Sequence, residues 1–192
     1  MVKLQNLKKF KNCVTSGVVI LGCVRHVMFI RAANLPGGEQ WVIMLLKQNL
    51  MYVRYACTDY VVHEGLEDFV AFMQIFIVLC YDIWCQYKIK IKERFGKEFP
   101  DFVDIVSAII GTIGPVHILG HIARCQALFN ARTTPLVGRL NGDSVEQPFA
   151  ETKLVGGSTK HMNEGHREDT LDDFFNDWNW RKVISLGACL IL

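Results

Sequence analysis

Residues Ile75–Asp82 read IFIVLCYD, and this stretch decides the fold. The apolar run is continuous and does not alternate, which fits a strand covered on both faces, as in a parallel sheet flanked by helices. It stops at an aspartate, and Ile83–Phe95 then looks helical until Phe99-Pro100 breaks the pattern. Strand, acid, helix is the order found where α/β sheets build sites at their carboxyl edge.

Working outward toward the N-terminus, Val18–Leu21 and Val27–Ile30 are short, β-branched runs separated by Gly-Cys-Val-Arg-His. They predict two strands or one bent hairpin. Asn34–Gly38 reads as a turn, and Trp41–Tyr55 matches neither a helical nor a strand template. Toward the C-terminus, Asp101 is placed to cap a helix through Ile110, stopped by Gly111 and Gly114-Pro115. Val116–Ile118 predicts a short strand, His121–Phe129 a helix and Thr133–Gly142 a loop. Ser144–Leu154 reads as a helix ended by Gly156-Gly157. The last helix, about Thr170–Ser185, carries an apolar stripe of Leu171, Phe174, Phe175, Trp178 and Val183, with Trp180 at its edge. The order predicts a single α/β layer with helical insertions.

Composition narrows the function classes. The chain has 192 residues, enough for one domain with a real core, and its net charge of +2 gives no global basic field. Seven cysteines are scattered through a chain too long and too cysteine-poor for a disulfide scaffold, so reduced thiols are expected, buried at Cys13, Cys80 and Cys189. A mean hydropathy of +0.20 raises the question of a membrane span. The two most apolar windows, Phe69–Trp84 and Phe102–Ile122, contain Asp82 and Asp104, Pro115, His117 and His121 respectively. Neither offers about 20 uninterrupted apolar residues, so a small membrane protein is only the second alternative to the reading below.

Three residue groups can carry chemistry. Asp82 either caps the helix behind it or projects from the sheet edge as an oxygen ligand for Mg²⁺. Asp143 and Glu146 lie three apart in NGDSVEQPFAE, with Glu151 turned away. They either complement a helix dipole or join Asp82 in a two-metal phosphoryl-transfer site. The third group is a set of soft ligands. His117, His121 and Cys125 form H-x3-H-x3-C, Cys23 and His26 form C-x2-H, and Cys85 sits one turn from Asp82. They are either zinc ligands or hydrogen-bonded side chains of the interior. Gly156–Asp173 mixes Gly, Ser, Thr, Lys and Arg without P-loop spacing. It reads as a phosphate cradle or as a solvated loop leading to a cap at Asp169 or Thr170.

Taken together, four segments resemble one family. YDIWCQY (Tyr81–Tyr87) resembles the Tyr-Asp-Ile-x-Cys-Gln block of Kyakuja–Dileera–Zisupton (KDZ) transposases, abundant in mushroom-forming fungi. GVVILGCVRH (Gly17–His26) is similar to that family's Cys-x-Arg-His strand, and PVHILGHIARCQ (Pro115–Gln126) to its Pro-x-His-x3-His-x3-Cys segment. Gly156–Lys182 is similar to its closing block almost residue for residue. The resemblance implies a DNA transposase with an RNase H-like domain, acidic residues that bind Mg²⁺ or Mn²⁺, transposon and target DNA as partners, and action in the nucleus. Carried over, Asp82 is one metal-binding acid, and the final acid comes from Gly142–Glu146, as either Asp143 or Glu146.

The departures carry expectations too. The family's first catalytic acid lies upstream of the Cys-x-Arg-His strand, and no aspartate precedes Asp59 here. The whole chain, 1–192, is therefore expected to be a partial domain, a truncated RNase H-like fold without its first strand or any cysteine-cluster module, and inactive alone. Asp143 replaces the family's usual Glu, and Phe149 stands where Trp is common. Trp41–Met51 reads as inserted sequence. The first alternative is a non-catalytic remnant that binds DNA through Lys88–Arg94 or associates with itself.

Overall fold

The computed structural model describes residues 15–36, 55–70, 76–138 and 142–189. The possible insert at 41–51 lies outside them. Strands β1 (Thr15–Cys23) and β2 (Met28–Pro36) form an antiparallel hairpin, with Val18 opposite Asn34 and Ile20 opposite Ala32. This is the hairpin that the two β-branched runs predict. Its turn holds Val27 at φ 56°, a left-handed conformation that a β-branched residue adopts only when its surroundings impose it. They do: the Val27 N–H donates to the Cys23 carbonyl at 2.7 Å, and the Val27 carbonyl accepts the Trp178 indole N–H, also at 2.7 Å. Helix α1 (Ala56–Val70) packs against both strands of the hairpin.

Of the described part of the apolar run only Val78–Cys80 is strand, β3, and it is half-buried rather than covered on both faces, because among the described residues it has a single partner. That partner is β4 (Ile110–Thr112), paired in parallel with Val78 opposite Ile110 and Cys80 opposite Thr112. Parallel neighbours need a crossover. Here it contains α2 (Trp84–Tyr87), α3 (Ile91–Glu98), a 3₁₀ turn at Pro100–Phe102 and α4 (Val103–Ala108). The crossover closes over the larger core, built from Tyr55, Val62, Trp84, Tyr87, Phe95, Val106 and Ile113.

Four further details depart from the expectations. The helix expected over Ile83–Phe95 is two helices, because Lys90 turns left-handed at φ 60° between them. The helix expected through Ile110 ends at Ala108, Asp101 lies inside the preceding 3₁₀ turn with no capping bond, and Ile110-Gly111-Thr112 is strand. Gly111 does not stop a helix: it sits against the Trp84 indole, where any Cβ would overlap the ring. Val116–Ile118 is not strand, since Val116 is in a turn and His117–Gly120 is 3₁₀, followed by α5 (Ala123–Phe129).

The fourth departure is in the C-terminal helices. Helix α6 (Glu146–Thr159) runs through Gly156-Gly157 where a turn was expected, and α7 (Glu164–Cys189) begins before Asp169. Asn163 takes the capping role instead, its Oδ1 accepting the His166 N–H at 2.9 Å. No phosphate cradle forms over this stretch, which is mostly helix.

Helix α7 fastens the hairpin. Phe29 of β2 packs with Leu171, Phe175 and Trp178, and burial of each such side chain contributes on the order of 1.5–3 kcal/mol. Asn179 then pairs with the Phe29 main chain as a further strand would, its Oδ1 accepting the Phe29 N–H and its Nδ2 donating to the Phe29 carbonyl, both at 2.8 Å. Trp180 is exposed, as an edge residue should be. Among the described residues no helix is long and apolar enough to cross a membrane.

Candidate functional site

The chain leaves β3 through one last ladder bond, Tyr81 N–H to the Thr112 carbonyl at 3.0 Å, and turns at Asp82. The capping role open to Asp82 is not taken: the residue before α2 is Ile83, and no side chain caps that helix. Asp82 instead stands at the sheet's carboxyl end, its side chain 59% exposed. Across from it, His117 Nε2 lies 3.7 Å from Asp82 Oδ1 and 2.6 Å from Glu146 Oε1.

Asp143 enters from the 3₁₀ turn Gly142–Val145. Its Oδ2 accepts the Val116 N–H at 2.9 Å, while its Oδ1 is buried without a hydrogen-bond partner. Two glycines permit this approach. A Cβ on Gly114 would overlap Asp143 Oδ1, and one on Gly142 would press on Cys80 Sγ at the end of β3. Ser144 Oγ donates to the Val24 carbonyl at 3.0 Å and so ties this turn to the hairpin.

The cluster holds three carboxylates against one imidazole. Burial raises the Asp82 pKa, His117 opposes that, and the charges of Glu146 and Asp143 reinforce it, so the carboxyl lies above its ordinary range. Burial pulls His117 down, but the Glu146 hydrogen bond and the charges of Asp82, Glu146 and Asp143 together carry it above the ordinary histidine value. An excess of negative charge with a buried carboxylate oxygen lacking a donor is an environment that a hard divalent cation suits. The oxygen donors are of the kind Mg²⁺ takes at one or two positions while keeping waters at the others, but no three of the ligand atoms here are drawn within 4.8 Å of one another as those of Cys85, His121 and Cys125 are.

Asp82 and Glu146 therefore meet at His117, with Asp143 beside them on the Val116 N–H, although the helical face expected for 143 and 146 does not exist: Asp143 is in a 3₁₀ turn and Glu146 opens α6. The predicted soft ligands separate. Cys23 and His26 pair with each other at the hairpin turn, Sγ to Nδ1 3.4 Å. His117 joins the acids. His121 and Cys125 meet Cys85, with Cys85 Sγ 3.5 Å from His121 Nδ1. H-x3-H-x3-C does not lie along one helix because Pro115 and Gly120 flank a short 3₁₀ turn and α5 begins only at Ala123. Cys23, Cys85 and Cys125 are half-buried free thiols, and so is Cys80, which was expected to be buried; Cys13 lies outside the described residues.

Sequence reasoning missed three residues here. His117 acts as a carboxylate partner, and only its four-residue offset from His121 was legible. Gly114 makes room for Asp143 and reads in sequence as a mere stop. Arg94, counted with the basic cluster, is buried: its Nε and Nη2 donate to Asp59 at 2.6 and 3.0 Å, and it also bonds the Tyr87 and Ile89 carbonyls. Lys88, Lys90 and Lys92 remain exposed, with Lys90 near Glu93 at 3.5 Å.

A family model described as Kyakuja-Dileera-Zisupton transposase matches residues 1–179. The chain belongs to the KDZ transposase family. No curated protein and no solved structure matches it. The closing block that carries much of the resemblance is, in physical terms, the helix that locks the hairpin through Trp178 and Asn179. The Tyr-Asp-Ile-x-Cys-Gln and Pro-x-His-x3-His segments of this KDZ chain are the ones that face each other across the acid cluster.

Proposed function

We propose that this chain supplies the metal-binding part of a transposase catalytic domain, cutting and joining DNA phosphodiesters in the nucleus with Asp82, Asp143 and Glu146 holding the divalent cation. The observation that carries the reading is that Asp82 and Glu146, from remote segments, reach one imidazole at the carboxyl end of β3, with Asp143 bonded to the neighbouring Val116 N–H. Bound Mg²⁺ or Mn²⁺ supplies charge stabilisation at the phosphate and orients attacking and leaving oxygens.

The protein's own part is positional. Val116 N–H fixes one Asp143 oxygen and leaves the other turned inward. His117 holds Glu146 and, protonated, balances one of the three negative charges. Asp82 is held by the rigid end of the parallel strand pair.

The fold belongs with this reading as an RNase H-like layer whose first strand and first acid come from outside the described residues. Among those residues the β1–β2 and β3–β4 pairs are separate sheets. A small apolar cavity of about 30 Å³, lined by Val24, Val78, Cys80, Thr112 and Val137, lies between the hairpin turn and β3.

The test is Mg²⁺- or Mn²⁺-dependent nicking of supercoiled DNA by the protein and by its Asp82→Asn variant. Nicking that is lost in Asp82→Asn is the expected result. Nicking that survives Asp82→Asn would overturn the assignment.

A further inference from the structure

Cys85, His121 and Cys125 each present one ligand atom, and these atoms all lie within 4.8 Å of one another. We propose that these three side chains bind a zinc ion that staples α2 to α5. Zinc at a tetrahedral site with Zn–S near 2.3 Å and Zn–N near 2.0–2.1 Å places neighbouring ligand atoms about 3.5–3.8 Å apart. The Cys85 Sγ to His121 Nδ1 distance is 3.5 Å, so a cation can enter without rearrangement of that pair.

Two thiolates and one imidazole are a soft donor set that selects zinc over Mg²⁺, which the carboxylate cluster suits. A water completes the tetrahedron. The Gln126 side chain donates to the His121 carbonyl at 2.7 Å and holds the backbone of this ligand where the 3₁₀ turn gives way to α5. The three ligands are half-buried, which shields a metal–thiolate bond yet leaves an entry path.

The placement gives the ion a purpose. Helix α2 follows directly on Asp82, and His121 follows directly on the turn that carries His117. Zinc between Cys85 and His121–Cys125 would fix these two segments, and so the separation of Asp82 from His117. That consequence rests on the acid-cluster reading; the zinc site does not.

The test is metal content and cobalt substitution of the reduced full chain. Purified protein is expected to hold zinc in stoichiometric amount. Co²⁺ in its place should give intense tetrahedral d–d bands with thiolate-to-cobalt charge transfer. Cys85→Ser, Cys125→Ser and His121→Ala should each lose the charge-transfer spectrum or much of its intensity, whereas Cys23→Ser and Asp82→Asn should keep it. In the wild type, zinc should protect Cys85 and Cys125 from alkylation while Cys23 reacts, a readout that needs no variant to fold. An octahedral cobalt spectrum, undiminished alkylation in zinc, or a Cys85–Cys125 disulfide that persists in place of metal would each overturn the proposal. Failure of DNA nicking with an intact cobalt spectrum would strike the acid cluster alone.

Discussion

Asp59 and Asp82 each face a cationic partner, and they use it differently. Asp59 meets the Arg94 guanidinium through two hydrogen bonds, with side chains 7% and 2% exposed, in a pair whose charges cancel. Arg94 spends its remaining donors on the Tyr87 and Ile89 carbonyls at the end of α2, groups a helix terminus would otherwise leave unbonded. Asp82 shares one imidazole with Glu146 beside a third carboxylate, Asp143, half open to solvent, and its charge does not cancel. A balanced buried pair is a device for holding a fold. An unbalanced cluster at a sheet edge is relieved by a proton or by a counter-charge from outside, and that separates the site from the scaffold.

The largest effect should come from breaking the balanced pair. Arg94→Leu strands the Asp59 carboxylate, and Asp59→Ala strands the guanidinium; each should cost about 3–5 kcal/mol in urea unfolding. Asp82→Asn should change stability without metal by only about 0.5 kcal/mol. If Asp82→Asn costs as much as Arg94→Leu, the distinction between the two aspartates fails.

A smaller effect is expected at the hinge between scaffold and site. Gly114→Ala places a methyl where Asp143 Oδ1 sits, so the aspartate must move, at about 1–3 kcal/mol. The same variant should weaken Mn²⁺ binding followed by electron paramagnetic resonance. Unchanged affinity would remove Asp143 from the cluster.

Next in size is stabilisation by the cation. Mg²⁺ at ten times its dissociation constant should add about 1.4 kcal/mol to unfolding of the wild type and far less to Asp82→Asn. The Arg94→Leu variant, where it still folds, should keep the increment, because its lesion lies in the balanced pair.

The smallest effect is in proton binding. The His117 pKa is raised in the folded state, so its contribution to stability is fully present below the ordinary histidine value and is lost as pH rises through the folded one. Glu146→Gln should lower the imidazole titration midpoint seen by NMR and move that loss to lower pH. A midpoint that stays put would mean that Glu146 does not hold the imidazole.

The difference between the regions also explains what the sequence made legible. The hairpin and β3 were readable because β-branched runs and an unbroken apolar stretch are local signals. Strand β4 was not, since Ile-Gly-Thr is too short to carry periodicity and Gly111 looks like a stop until Trp84 is seen against it. The carboxylates of the site were named from residue type and resemblance, but the pairing of His117 with Glu146 spans 29 positions and has no local trace. The Asp59–Arg94 pair is as remote, and Arg94 looked like one more surface cation among lysines. Residue types announce what a site can do; only packing reveals which charges cancel.

The most direct test of the central claim is a Mn²⁺ titration followed by amide broadening across the assigned NMR spectrum. Broadening should begin at Asp82, Val116 and Asp143 and reach Asp59 and Arg94 only at higher Mn²⁺. Broadening that begins instead along the exposed acidic side chains of α7, from Glu164 to Asp177, would contradict the account.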